Sequence, residues 1–247
     1  GESHLQGPDA AVPSRSYLSL SGFNLKAESA TYQTLPKRLR EVSGLAMTRD
    51  NRLLAHNDEK GIIFEVDYQA GTIVKAWALT DKDKPVSDDF EGMAVANDDI
   101  YLVTSSGRLY RCREGADGTT VLFTMYTTGT GRACEIEGLA YDPDERLLLL
   151  MCKNARRTEL KDHLAIYRWS IDTKTLVEGH RTLIPLSDFS RYTGSPTFQP
   201  SGLERHPVSG NYFVVAARQH AIAEITPSGQ VVAVKVLSAK QHPQAEG

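Results

Sequence analysis

Three cysteines in 247 residues are too few for a disulfide scaffold. Cys112, Cys134 and Cys152 allow at most one internal pair and leave a thiol over, so the count alone does not give the redox compartment. Long apolar runs are also missing. The longest, residues 147–152 and 212–217, fall far short of the ~20 residues a membrane-spanning helix needs. Charge of one sign is not in excess: 28 Lys and Arg against 31 Asp and Glu leave a net −3, which argues against a general electrostatic grip on nucleic acid. No His-x-His or His-Glu-x-x-His zinc spacing occurs, and no Gly-x-Ser-x-Gly nucleophile elbow. Sustained helical periodicity is absent. What is present is 40% hydrophobic residues, enough for a sizeable core.

The chain repeats itself. Glu41-Val42-Ser43-Gly44-Leu45 returns as Asp89-Phe90-Glu91-Gly92-Met93, as Glu135-Ile136-Glu137-Gly138-Leu139 and as Gln199-Pro200-Ser201-Gly202-Leu203. Gln244-Ala245-Glu246-Gly247 starts it again. The motif glycines are 48, 46, 64 and 45 residues apart. Turn glycines Gly71, Gly118 and Gly229 follow their motif glycines by 26 or 27 residues, with Lys174 at the equivalent turn of the third unit. Between the markers lie short apolar or alternating runs, four per unit: 44–48, 52–56, 62–67 and 73–79 in the first, for example. The second unit's last run covers 119–126 and the third unit's covers 177–184. Four strands per ~45 residues is the signature of a β-propeller blade. The fold expected is therefore all-β, a β-propeller of four-stranded blades forming one domain over residues 17–247. Residues 1–16, rich in Gly, Pro, Ala and Ser, read as a flexible leader of the kind a removed targeting segment leaves. Four units are complete, and a fifth begins at Gln244 and stops. The expectation is five or six blades in the native protein, a sequence short at the C-terminus, and candidate strands at 17–20 and 31–35 that help close the ring.

The motif precedes the innermost strand of each blade, so it rings the mouth of the central channel with side chains. The loops joining second to third strands reach the same face, bringing His56-Asn57-Asp58, Thr104-Ser105-Ser106, Cys152-Lys153-Asn154 and Ala217-Arg218-Gln219. Carboxylates and Asn crowded near an axis are hard oxygen ligands, and their repulsion calls for a cation or a proton. The expected ligands for a hard cation, Ca²⁺ first, are the carboxylates at the second acidic motif position, Glu91, Glu137 and Glu246. The same side chains can instead cap backbone groups of neighbouring blades and hold no metal. The motif glycines serve either close packing or a positive φ. The third unit is about 18 residues longer than its neighbours, with insertions in 153–163 and 187–198 that would wall one side of the mouth. Lys153, Arg156, Arg157, Arg191 and Arg218 give that side a basic rim suited to an anionic ligand, or simply a solvated loop. His56 and Asp58 are the candidate catalytic pair, with a general-base role at the mouth. Thr128-Gly129-Thr130-Gly131-Arg132 lacks the ending of a phosphate-binding loop and reads as a linker. Trp77 and Trp169 read as packing.

These repeats resemble the SdiA-regulated family of bacterial β-propellers. The likeness is carried by Glu41-Val42-Ser43-Gly44-Leu45-Ala46, His56-Asn57-Asp58 with Ile63-Phe64, Asp89-Phe90-Glu91-Gly92-Met93-Ala94, Ser106-Gly107-Arg108-Leu109-Tyr110 and Glu135-Ile136-Glu137-Gly138-Leu139-Ala140. It spans roughly residues 30–247 and thins after Leu176. The resemblance implies a periplasmic or envelope-associated exported protein with no established reaction. More distantly the chain is similar to the Ca²⁺-dependent paraoxonase and gluconolactonase propellers and the phytase-like esterases, which place acidic and Asn ligands at the channel mouth; that likeness implies Asn57, Asp58, Glu91, Glu137 and Asn154 as Ca²⁺ ligands here. Three functions are compatible with these observations. One is a Ca²⁺-binding propeller that holds a small or anionic ligand without turning it over. Another is a metal-dependent hydrolase of esters, lactones or phosphoesters. The third is a platform whose inserted loops dock a protein partner. Fold alone does not choose among them.

Overall fold

The computed structural model describes residues 42–195 and 197–237, which fold as four β-sheets arranged as propeller blades around an axis. Blade one runs outward through β1 (Val42–Met47), β2 (Leu53–Asn57), β3 (Ile62–Asp67) and β4 (Thr72–Asp81), with a short β5 (Lys84–Pro85) folded back on β4. Blade two has β6 (Phe90–Ala96), β7 (Asp99–Thr104) and β8 (Arg108–Arg113). It then divides its outermost run into β9 (Thr120–Val121) and β10 (Phe123–Thr127). Blade three has β11 (Cys134–Asp142), β12 (Leu147–Ala155) and β13 (His163–Ser170), with both β14 (Thr175–Leu176) and β15 (Thr182–Pro185) on the outer side of β13. Blade four is β16 (Gly202–Arg205), β17 (Tyr212–Ala216), β18 (Ala221–Ile225) and β19 (Val231–Val236). The candidate strands at 17–20 and 31–35, the leader, and Glu41 and Glu246 lie outside the described residues.

The core lies between blades. In β12 the apolar run 147–152 is continuous because both faces of its sheet are covered. Leu148 and Leu150 pack toward blade two with Tyr101, Val103 and Trp169, whereas Leu149 and Met151 pack toward blade four with Tyr212 and Val214. Trp77 fills the equivalent layer between blades one and two with Leu54, Phe90 and Leu102. Both tryptophans are fully buried packing residues, as the sequence suggested. Arg168 is buried between blades three and four, where it donates to Thr182 Oγ1 at 2.8 Å, the Pro227 carbonyl at 2.9 Å and Tyr212 Oη at 3.1 Å. A buried guanidinium needs such acceptors on all sides.

Among the described motif glycines, Gly44, Gly92 and Gly138 meet the close-packing requirement, Gly202 has room for a side chain, and none of the four has a positive φ. A Cβ built on Gly92 would stand 2.9 Å from the Leu139 backbone nitrogen of the next blade, so the inner strands approach too closely for any side chain there. The turn marker behaves differently. Gly71, Gly118 and Gly229 have φ of 68°, 71° and 102°, and Lys174 takes the same left-handed conformation at 59°. One register therefore carries two distinct physical demands.

The outermost runs depart from expectation. Residues 119–126 do not form one strand: β9 pairs in parallel with β4 of blade one, and β10 closes its own blade. The long β4 leaves backbone groups open on its outer edge, and β9 satisfies them. Gly118 N–H to the Ala76 carbonyl, at 2.8 Å, begins that attachment. Of residues 177–184 only 182–184 are strand, in β15; β14 ends before them, and the segment between the two strands holds Gly179 at φ 73°. The second insertion is not a loop throughout. It contains α1 (Ser187–Thr193), ended by Gly194 at φ 67° and anchored by Phe189, which stacks on Phe198 at 4.4 Å. The segment Thr128–Arg132 is the linker expected. Thr128 Oγ1 donates to the Gly107 carbonyl at 2.5 Å, fastening it to blade two.

Candidate functional site

Each of the first three inner strands slips register by one residue at the motif, between Val42 and Gly44, Phe90 and Gly92, and Ile136 and Gly138. The extra residue in each bulge is the second variable position of the repeat. A bulge leaves that residue unpaired and re-aims it, a device common beside functional sites. In blades two and three it presents Glu91 and Glu137 close enough to interact. Glu137 Oε1 lies 3.2 Å from Lys153 Nζ, which arrives from the end of β12. Burial, then the neighbouring Glu137, pushes the Glu91 carboxyl up to about 8. Burial also raises Glu137, with Lys153 acting against the rise. The proton on Glu91 and the Lys153 ammonium beside Glu137 thus offset part of the negative charge that Glu91, Glu137 and Asp89 bring together.

The sign of the pH effect follows. Between its ordinary 4.5 and about 8, Glu91 binds its proton more tightly in the folded state than in the unfolded one. This contribution to stability is complete below the lower value and is lost as pH rises through the upper one. Glu91→Gln cannot ionise, so its urea midpoint should gain on that of the wild type between about pH 5 and about pH 9. Parallel pH profiles for the two proteins would show that Glu91 holds no such proton.

The His56-Asn57-Asp58 segment is occupied otherwise. His56 is fully buried. Its Nδ1–H donates to the Asn57 carbonyl at 2.8 Å, which leaves the lone pair on Nε2. That Nε2 has no partner among the described residues and faces Gly44, where a Cβ would come within 2.7 Å. Burial lowers the ring's pKa and keeps it neutral. Walled off in this way, His56 fills the gap that Gly44 opens and is out of reach of a substrate at the mouth. Asn57 Oδ1 accepts the backbone N–H groups of Glu59 and Lys60 at 2.9 and 2.8 Å, which shapes the turn. The Asp58 carbonyl accepts the Phe90 N–H at 2.8 Å, bridging blades one and two, and its buried Oδ1 has no partner among the described residues.

A cavity of about 1080 Å³ opens beside Glu137, between blades three and four, walled by both insertions of the third unit. Lys153, Asn154 and Arg218 line it, as do Lys161, at the end of the first insertion's basic stretch, and His163. Arg156, Arg157 and Arg191 stand away from it. Arg156 lies 3.8 Å from Glu135, Arg157 precedes the short 3₁₀ turn Thr158–Leu160, and Arg191 lies 3.4 Å from Asp188 on α1. The basic rim is therefore narrower than expected and faces inward.

The expected cation ligands do not meet as a set. Asn57 Oδ1 is held by two backbone donors, Glu137 by Lys153, and Asn154 Nδ2 donates to Glu135 at 2.9 Å. Among the described residues, no group of three or more His, Cys, Asp or Glu side chains is placed to hold a metal ion. Glu137 is already paired with the Lys153 ammonium, so the described residues by themselves do not make up a Ca²⁺ ligand set. Cys134 and Cys152 form a disulfide between β11 and β12, immediately beside Glu135 and Lys153, and Cys112 is buried and free. Among the described residues no helix is long and apolar enough to cross a membrane.

A family model described as phytase-like, with the esterase-like activity of phytase, matches residues 37–247. No curated protein matches the chain. Among solved structures, the glutaminyl cyclase of Myxococcus xanthus is similar over 84% of this chain and 76% of its own, with a TM-score of 0.56 and 16% identity. That likeness shows the propeller fold. Virginiamycin B lyase from Staphylococcus aureus is 18% identical over 83% of this chain, with a TM-score of 0.44, and the chain spans 59% of its length.

Proposed function

The chain belongs to the phytase-like family, and from that premise we propose that it hydrolyses a phosphoester bound in the cleft between blades three and four. The observation that carries this reading is the convergence of Lys153, Lys161 and Arg218 on one cavity large enough for a small organic ligand. Lys153 and Arg218 bind the phosphoryl oxygens by charge-assisted hydrogen bonds, and Glu137 holds the Lys153 ammonium in position. Calcium was the cation expected at the mouth. To bind there it would have to displace Lys153 from Glu137, so turnover is expected to survive exhaustive dialysis against EDTA. The Cys134–Cys152 disulfide supports an oxidising, exported compartment, and the resemblance to SdiA-regulated propellers supports the bacterial envelope.

The test is steady-state hydrolysis of p-nitrophenyl phosphate beside p-nitrophenyl acetate, with inorganic phosphate as competitor, before and after EDTA. Turnover of the phosphate ester, competitive inhibition by phosphate and indifference to EDTA are the expected results. Phosphate binding with no turnover would replace this reading with a ligand-binding propeller. Activity lost to EDTA and restored by Ca²⁺ would overturn the metal-free arrangement. Neither binding nor turnover would shift the weight to a protein partner on the inserted-loop face.

A further inference from the structure

We infer that His163 is the proton-accepting residue of the cleft, a role that rests on the phosphoesterase reading above and adds a named base to it. His163 begins β13 and lines the same cavity as Lys153 and Arg218. Its Nδ1 lies 2.7 Å from the Lys161 carbonyl oxygen. A carbonyl only accepts, so Nδ1 carries the hydrogen and the neutral ring keeps its lone pair on Nε2.

The support behind the ring is rigid on both sides. Lys161 is fixed by its N–H to the Thr158 carbonyl at 3.1 Å, closing the 3₁₀ turn over the buried Leu160. His163 pairs with Pro185 across β15, and the Leu186 N–H reaches the Asp162 carbonyl at 2.9 Å. An imidazole whose tautomer and position are both set by backbone is prepared for proton transfer. Two other histidines show what is missing elsewhere. His56 has the same tautomer but is buried against Gly44. His206 Nδ1 accepts the N–H groups of Val208 and Ser209, so its lone pair is already used. Neither lines the cleft.

The step balances as follows. A water oxygen forms the new bond to phosphorus and gives one proton to His163 Nε2. The phosphorus–oxygen bond to the alcohol breaks on the opposite side. The departing alkoxide takes a proton from solvent, and the imidazolium returns its own to solvent. The products are the free alcohol and inorganic phosphate. Lys153 and Arg218 hold the phosphoryl charge throughout.

His163→Asn separates the two halves of this argument. The asparagine Nδ2–H can still donate to the Lys161 carbonyl, but nothing remains at the Nε2 position. Expected is a fall in kcat for p-nitrophenyl phosphate of about 100-fold, with the dissociation constant for inorganic phosphate unchanged by calorimetry. His163→Ala should regain part of its kcat on addition of imidazole. Hydrolysis by His163→Asn within about twofold of the wild type would overturn the role of His163 and leave the phosphoesterase reading standing. Wild-type protein that binds phosphate without hydrolysing the ester would overturn both. Equal losses in kcat and phosphate affinity, without imidazole rescue, would make His163 a structural residue and overturn the inference.

Discussion

Lys153→Met should reduce kcat/KM for p-nitrophenyl phosphate by about 100-fold, the usual loss when one preorganised charged donor is removed from a reacting site. Methionine keeps the length and apolar stem of lysine and deletes only the ammonium. Two effects then combine. The phosphoryl group loses a cationic partner, and Glu137, freed from Lys153, faces the cleft beside Glu91 with nothing to neutralise the pair but a proton. Burial already raises Glu137 against the pull of Lys153, so its carboxyl should rise further in the variant. The loss should therefore be steepest toward high pH, where that proton leaves and a repelling carboxylate faces the substrate. Lys153→Arg keeps the charge and should retain much of the phosphate affinity, although the planar fork does not reproduce an ammonium at Glu137. Steady-state kinetics across pH, with inorganic phosphate as inhibitor, measures all of this. Unchanged affinity and turnover in Lys153→Met would remove the cleft from consideration as the site.

The inner half of each blade was legible because close packing recurs at three of the four described motif glycines. Gly92 and Gly138 lie against the next blade's first strand and Gly44 against His56, and a side chain at any of the three would crowd its neighbour. The turns at Gly71, Gly118 and Gly229 repeat for a separate reason, a left-handed backbone, and the presence of Lys174 in their series shows how firmly the turn is set. The outer edges were not legible, because they depend on neighbours. Residues 120–121 join blade one because β4 has an open edge, and nothing local to those residues says so. The helix α1 is seven residues long and is held by the Phe189–Phe198 stack, too short to display a period.

At the site, the sequence pointed to a ring of equal positions, and the fold made them unequal. Glu91 and Glu137 do come together, because both sit in bulges of adjacent inner strands. His56, Asn57 and Asp58 share that face, yet packing and backbone hydrogen bonds hold His56 and Asn57. The pairing of Glu137 with Lys153 depends on two register slips in β11, at Cys134/Glu135 and at Ile136/Gly138, and a residue count cannot reveal a slip. His163 was missed because a histidine at a strand start carries no local mark. Only the carbonyl of Lys161 and the cavity in front of it distinguish that ring from the others.

The disulfide beside that double slip is a stability element that can be tested directly. Three cysteines permit three pairings, and the fold selects Cys134–Cys152, with Cα atoms 5.7 Å apart and a sequence separation of 18. The bridge spans β11 and β12 where their ladder is irregular and backbone pairing alone holds them least well. Closing a loop of that size limits the unfolded chain by about 3 kcal/mol. Replacing both cysteines with serine should remove that amount and also bury two hydroxyls in the apolar layer around Leu160 and Ala165. Replacing both with alanine avoids the buried hydroxyls, so the difference between the two variants in denaturant midpoint isolates the polar cost. Cys112 is a built-in control. Burial pushes its thiol up to about 12, so it should stay unreactive in the folded protein and count as one thiol after denaturation without reductant. Because Cys152 precedes Lys153 and Cys134 precedes Glu135, loss of the bridge should also loosen the Lys153–Glu137 pair and lower turnover in protein that is still folded. A double-alanine variant with wild-type midpoint and wild-type kcat would show that strand pairing alone sets the geometry of the cleft.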